Sequence, residues 1–324
     1  MQFTPAFDWA ERQVERGILP TAVLGIATAE EIIDIRAYGS DGRRAATPDD
    51  VYPLFSVTKP LVGLVALRAV ERGRLSLEAP LDRVIPELRG LGRSPVRLHH
   101  LLSHTSGLSE PALDVQGPLL DVLRKAGSDF APGSATRYSS LAFEGVRVLV
   151  EDATGMSLDE GLREAFSAVS AAGIAFDPVS EPHRVHGRGD FDPARFASLR
   201  HPGAGLYGRA ADLLAIGRSL IADDGAIVTP LALSASLEPR TGGLPKLEPY
   251  PAERGQEWGL SWNLLRRAPG MLARDVYGHA GWAGAEFWML PDAGACVVLL
   301  THRVDAPAAG LDVAELLNAV SSGL

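Results

Sequence analysis

The sequence predicts an α+β fold in which one antiparallel sheet, flanked by the terminal helices, carries a mostly helical lobe. Three observations lead there: strand patterns gather at the two ends of the chain, helical patterns occupy the middle, and each terminus has an amphipathic helix of its own. The expected organisation is one domain with two lobes, a sheet lobe from 1–55 and about 250–324, and a mostly helical lobe over about 56–249. A chain of 324 residues, 46% hydrophobic and 22% charged, is long enough to bury a core of that size.

The elements follow in order. The stretch MQFTPAFDWAERQVERG reads as a helix with Phe7, Ala10 and Val14 on one face. TAVLGIATAEEIIDIRAYG reads as two strands joined by a turn near 29–31. Helical spacing then takes over at 60–72, 98–102, 140–154 and 209–222. Strand signals return in EWGLSWNLLRR, DVYGHAG, AEFWMLP and ACVVLLTHR, and a helix over about 308–320 closes the chain. A cleft between the sheet and the helical lobe is the natural place for a site.

Composition excludes several function classes. The net charge is −9, without long runs of one sign, so neither a nucleic-acid partner nor a membrane surface is expected. No apolar run is long enough to span a bilayer, and no basic segment leads into an apolar stretch at the N-terminus, so a cytoplasmic protein is expected. The single Cys296 excludes an intrachain disulfide and reads as a packed thiol in a buried strand.

The informative stretch is FSVTKP. Only Lys59, Lys125 and Lys246 occur in the whole chain, and Lys59 lies three residues beyond Ser56 at the mouth of an apolar helix. Proline lacks a backbone N–H, so Pro60 belongs in the first helical turn, which sets the helix start near Val57. Residues three apart share a helix face, so the Lys59 amine is placed toward the Ser56 hydroxyl. That is a nucleophile with a base: desolvation lowers a lysine pKa until the amine can take a serine proton. Helix N–H groups near Ser56 would help hold a developing oxyanion.

FSVTKP, followed by GRLSLEAPLDRVIPEL, LHHLLSHTSGL, RYSSLAFEGVRVLVEDATG, GAGLYGRAADLLAIGRSLI and YGHAGWAGAEFWMLPDAGACVVLLTHR, resembles the penicillin-recognising serine hydrolases, in particular their class C β-lactamase-like and family VIII esterase-like branch. The resemblance spans about 51–303 and implies a β-lactamase/transpeptidase-like fold. It implies Ser56 as nucleophile, Lys59 as its partner, and Tyr138 at the tyrosine of the family's Tyr-x-Asn motif, with either Lys59 or Tyr138 holding the proton. His279-Ala280-Gly281 takes the place of Lys-Thr-Gly, and the Trp282 N–H would join that of Ser56 in the oxyanion hole. Two positions depart from the pattern. Ser140 replaces an asparagine and His279 a lysine, and both changes weaken recognition of a β-lactam carboxylate. The expected function is therefore a serine hydrolase or acyltransferase acting on a small-molecule ester, thioester or amide, with no cofactor and no metal. β-Lactamase or D-Ala peptidase activity, or a catalytically silent binding protein, is the alternative.

Other signals carry less. Gly203 to Gly208 matches a dinucleotide fingerprint but follows no strand and reads as a turn before a helix. His183 with His186, and His99 with His100, read as loop histidines without zinc-site companions. Ser103-His104 reads as turn structure supporting the site, and Arg188-Gly189-Asp190 as a solvated loop. Trp258, Trp262 and Trp288 are candidates for the core or for an acyl pocket.

Overall fold

Alternation along the late strands decides the architecture. In β8 (Glu286–Leu290) and β9 (Ala295–Leu300), Phe287, Met289, Val298 and Leu300 join one apolar cluster, while Trp288, Leu290, Val297 and Leu299 join another. Side chains leave a strand on alternate sides, so a strand apolar at every position must be covered on both faces. The computed structural model, which describes residues 3–90, 94–186, 191–249, 255–266 and 268–323, has this arrangement.

Seven antiparallel strands form the main sheet in the order β2 (Ile32–Gly39), β1 (Thr21–Thr28), β9, β8, β7 (Tyr277–Ala280), β6 (Asn263–Leu264) and β5 (Glu257–Trp258). The chain closes on itself where β1 pairs with β9, Val23 opposite Leu300 and Thr28 opposite Ala295. One face is covered by α1 (Thr4–Glu15) and α10 (Val313–Ser321), with Phe7, Ala10 and the partly buried Val14 in the shared cluster. The other packs on α8 (Ala210–Ala222) and, beyond it, α2 (Thr58–Glu71), α3 (Leu98–Leu102) and α5 (Ala142–Thr154). Cys296 lies in this second core, where burial pushes its thiol up to about 12.

Local chemistry moves some boundaries. The closing helix begins at Val313, not near 308, because the Asp312 side chain accepts the Ala314 N–H and caps it there. Residues 203–208 are more than a turn: β4 (Tyr207–Gly208) pairs with β3 (Tyr52–Pro53) just ahead of Ser56. His99 and His100 sit within α3 and not in a loop. His183 is in a loop but buried, its ring nitrogens 2.9 Å from Asp41 and 2.8 Å from Asp50. Arg188-Gly189-Asp190 and the lobe boundary near 250 fall outside the described residues. Among the described residues no helix is long and apolar enough to cross a membrane.

Candidate active site

The turn that carries Ser56 is built by strain and helix geometry. Phe55 holds a left-handed φ of 44°, a conformation that costs roughly 1–3 kcal/mol in a non-glycine residue and clusters at functional sites. The chain passes through a short 3₁₀ turn, Phe55–Val57, and enters α2 at Thr58. Ser56 is left partly exposed at the floor of a cleft of about 450 Å³, while Lys59 is buried at 0% exposure beneath it.

The Lys59 ammonium has three acceptors for its three protons. Its Nζ donates to Ser56 Oγ at 3.2 Å, Ser140 Oγ at 3.0 Å and the Gly203 carbonyl at 2.7 Å. It also sits 4.5 Å from the centre of the Tyr138 ring. Burial lowers its pKa to about 7, with the Glu110 carboxylate acting in the opposite sense. Both protonation states are thus accessible near neutrality. Once the amine is neutral, two protons suffice for Ser140 and Gly203, and the lone pair is free to accept from Ser56.

Two glycines permit the close approaches that assemble this cluster. A Cβ on Gly203 would lie 2.7 Å from the Ser140 carbonyl oxygen, so only glycine lets the 203 loop press against the Tyr138 segment and present its carbonyl to Lys59. A Cβ on Gly281 would lie 2.5 Å from the Leu54 carbonyl oxygen, so glycine there lets the end of β7 meet the Ser56 turn. Trp282 follows, its ring 5.3 Å from Phe55 and 5.0 Å from Phe191.

Ser56, Tyr138, Ser140, Gly281 and Trp282 all line the cleft, together with Glu110, Asp114 and an apolar wall that includes Leu113 and Phe191. His279 does not line it. The ring is 1% exposed, 5.9 Å from the Tyr138 ring centre, with Nδ1 2.7 Å from the Ala280 carbonyl. Burial, then Lys59, depresses its pKa to about 3, so it is neutral where a lysine would be charged. Of the three tryptophans weighed for a pocket, Trp258 packs at the site against Tyr138 and His279, whereas Trp262 and Trp288 belong to the two cores.

Two contributors escaped the sequence. The Gly203 carbonyl is one, since a main-chain acceptor has no side-chain signature. Glu110 is another: its carboxylate accepts the Ser139 hydroxyl at 2.7 Å and the Ser140 and Leu141 N–H groups at 2.8 and 3.2 Å. It thereby satisfies donors at the start of α5 and fixes the segment after Tyr138. It lies two residues beyond SHTSGL, so extending that motif would have found it. His104, expected as turn structure supporting the site, has φ 58°, is 0% exposed and lies 4.5 Å from the Tyr138 ring centre. Its Nδ1 accepts the Ser139 N–H and its carbonyl accepts the Arg137 N–H and the Thr136 hydroxyl, so it holds the chain on both sides of Tyr138.

Comparison with known proteins agrees with this architecture. Esterase EstB of Burkholderia gladioli is 33% identical over 91% of this chain and 88% of its own length. Penicillin-binding protein 4 of Amycolatopsis lactamdurans is 27% identical over 80% of this chain and 74% of its own. The solved structure of EstCE1, a hydrolase with promiscuous acyltransferase activity, superposes with a TM-score of 0.79 over 99% of this chain and 98% of that one, at 21% identity, which establishes the shared fold. The sequence model of the family described as Beta-lactamase matches residues 7–320, nearly the whole chain, and the protein belongs to that family.

Proposed function

We propose that the protein is a serine hydrolase or acyltransferase that acts on small-molecule esters, and by extension thioesters or amides, through an acyl-Ser56 intermediate. The observation that carries this reading is the buried Lys59 amine, its pKa lowered to about 7, donating at 3.2 Å to the Ser56 hydroxyl at the cleft floor. Ser56 Oγ bonds to the substrate carbonyl carbon as its proton passes to the unit formed by Lys59 and Tyr138. The N–H groups of Ser56 and Trp282 hold the oxyanion, the C–O bond breaks, and the departing oxygen takes the proton back. Water, an alcohol or an amine then repeats the sequence against the acyl-serine. His279, set back from the cleft, buttresses Tyr138 and does not bind substrate. The apolar wall of Leu113, Phe191 and Trp282 suits a hydrocarbon acyl chain.

The similarity to an esterase supports this reading over a β-lactam-directed one, and so does the cleft lining, which among the described residues includes no lysine or arginine. Labelling with a fluorophosphonate tests it. Wild type should take up one equivalent on Ser56 and turn over p-nitrophenyl esters; Ser56→Ala should do neither while folding normally. Esterase activity retained by Ser56→Ala would overturn the assignment.

A further inference from the structure

The charges around the cleft are unequal. Glu110 and Asp114 both line it, but they are not equivalent. Asp114 is mostly buried and held by the Arg195 guanidinium at 2.8 Å, with the Asp192 N–H at 2.9 Å, so its charge is compensated. Glu110 is exposed to the cleft, and its three partners, one hydroxyl and two backbone N–H groups, are all uncharged. Among the described residues, Lys59 feels its field but makes no hydrogen bond to it. Lys59 lies beneath the floor with its three protons already directed to Ser56, Ser140 and Gly203, and His104, His201 and His279 are buried and neutral.

We propose that Glu110 is a specificity-determining residue, which favours substrates bearing an ammonium group beside an apolar chain and disfavours those bearing a carboxylate. The proposal rests on the acyl-serine reading and narrows its substrate class. The carboxylate reaches Ser140 at 2.8 Å, Ser140 reaches Lys59 at 3.0 Å, and Lys59 reaches Ser56 at 3.2 Å, so a charged group a few bonds from the scissile carbonyl lies within the field of Glu110. The apolar lining of Leu113, Phe191 and Trp282 would take the methylene chain between the two. A carboxylate in the same place would meet a like charge, with no guanidinium or ammonium among the described lining residues to receive it.

The experiment compares p-nitrophenyl esters of hexanoate, 6-aminohexanoate and the adipate monoester, with Ser56→Ala as the blank. For wild type at low salt, kcat/KM for the amino ester should exceed that for the carboxylate ester at least tenfold. Raising salt should shrink the ratio, and Glu110→Gln should reduce it at least fivefold. The Gln variant removes the charge and keeps one of the two acceptor oxygens, enough for either the Ser140 N–H or the Leu141 N–H but not both, and the ratio cancels the common loss of turnover that follows. The same esters are also titrated for binding to Ser56→Ala, alone and combined with Glu110→Gln. A ratio unchanged by Glu110→Gln, in turnover and in binding, would overturn the charge inference while leaving the acyl-serine reading intact. A Glu110-dependent binding preference without any wild-type turnover would retain the inference and reject the acyl-serine chemistry.

Discussion

Replacing Lys59 with methionine should stabilise the protein near neutral pH while removing its activity. The amine is fully buried, and its pKa falls from an ordinary 10.5 to about 7. At about 1.4 kcal/mol for each step of one in pKa, that drop costs the folded state about 5 kcal/mol wherever the unfolded chain would hold the proton. Methionine fills a similar volume without the charge, but it strands two acceptors, Ser140 Oγ and the Gly203 carbonyl. An unsatisfied buried acceptor costs roughly 1–3 kcal/mol, and Ser140 lines the cleft and can turn to solvent. The expected net gain at pH 7 is thus about 2–4 kcal/mol. Its pH dependence is the signature. The lysine cost is absent above about pH 10.5, grows as pH falls to about 7, and is constant below that. Denaturant melts of wild type and Lys59→Met from pH 7 to 10 should show the variant's advantage shrinking as pH rises, while ester turnover drops by about 10²–10⁴. An advantage independent of pH, or a variant less stable than wild type at pH 7, would refute the account of Lys59 as a buried amine held against its desolvation cost.

Lys59→Ala and Tyr138→Phe should each lower kcat by orders of magnitude yet combine far less than multiplicatively, because they serve one proton-transfer unit; fully multiplicative losses in the double variant would count against a shared relay. With His279 neutral and no lysine or arginine lining the described cleft, nitrocefin should be turned over far more slowly than a neutral p-nitrophenyl ester at pH 7.5. Equal or faster nitrocefin turnover would move the assignment to a β-lactamase. Glu286 lies in β8, where its carboxyl accepts the Trp288 N–H at 2.6 Å and burial raises its pKa to about 8. Its acid form is favoured by folding, so the contribution is full below the unfolded value near 4.5 and lost as pH rises toward 8. Glu286→Gln should gain unfolding free energy over wild type across that window, by a few kcal/mol at its upper end in denaturant melts, and a constant difference would exclude this titration.

What could be read from the linear chain depends on short-range periodicity and on residue type. Short apolar, β-forming runs bounded by turn residues located both groups of strands, 3.6-residue spacing located α2, α3, α5 and α8 within two residues, and Pro60 set the start of the helix that pairs Ser56 with Lys59. The family resemblance rested on motifs of the same local kind. Where it missed, the determinant was either a local cap or a neighbour remote in sequence. Asp312 moved the start of α10 through a side-chain cap that helical periodicity does not register. His279 was a candidate for substrate contact from its motif position, but whether a side chain on β7 reaches the cleft depends on what packs before it, here Tyr138 and Trp258. The Gly203 carbonyl and the Glu110 carboxylate became part of the site because loops 144 and 30 residues away from Lys59 and Ser140 close on them. Only the tertiary structure could decide this, since the pKa of Lys59 is set by the exclusion of water and the field of surrounding groups, and both exist only once those distant segments have packed around it.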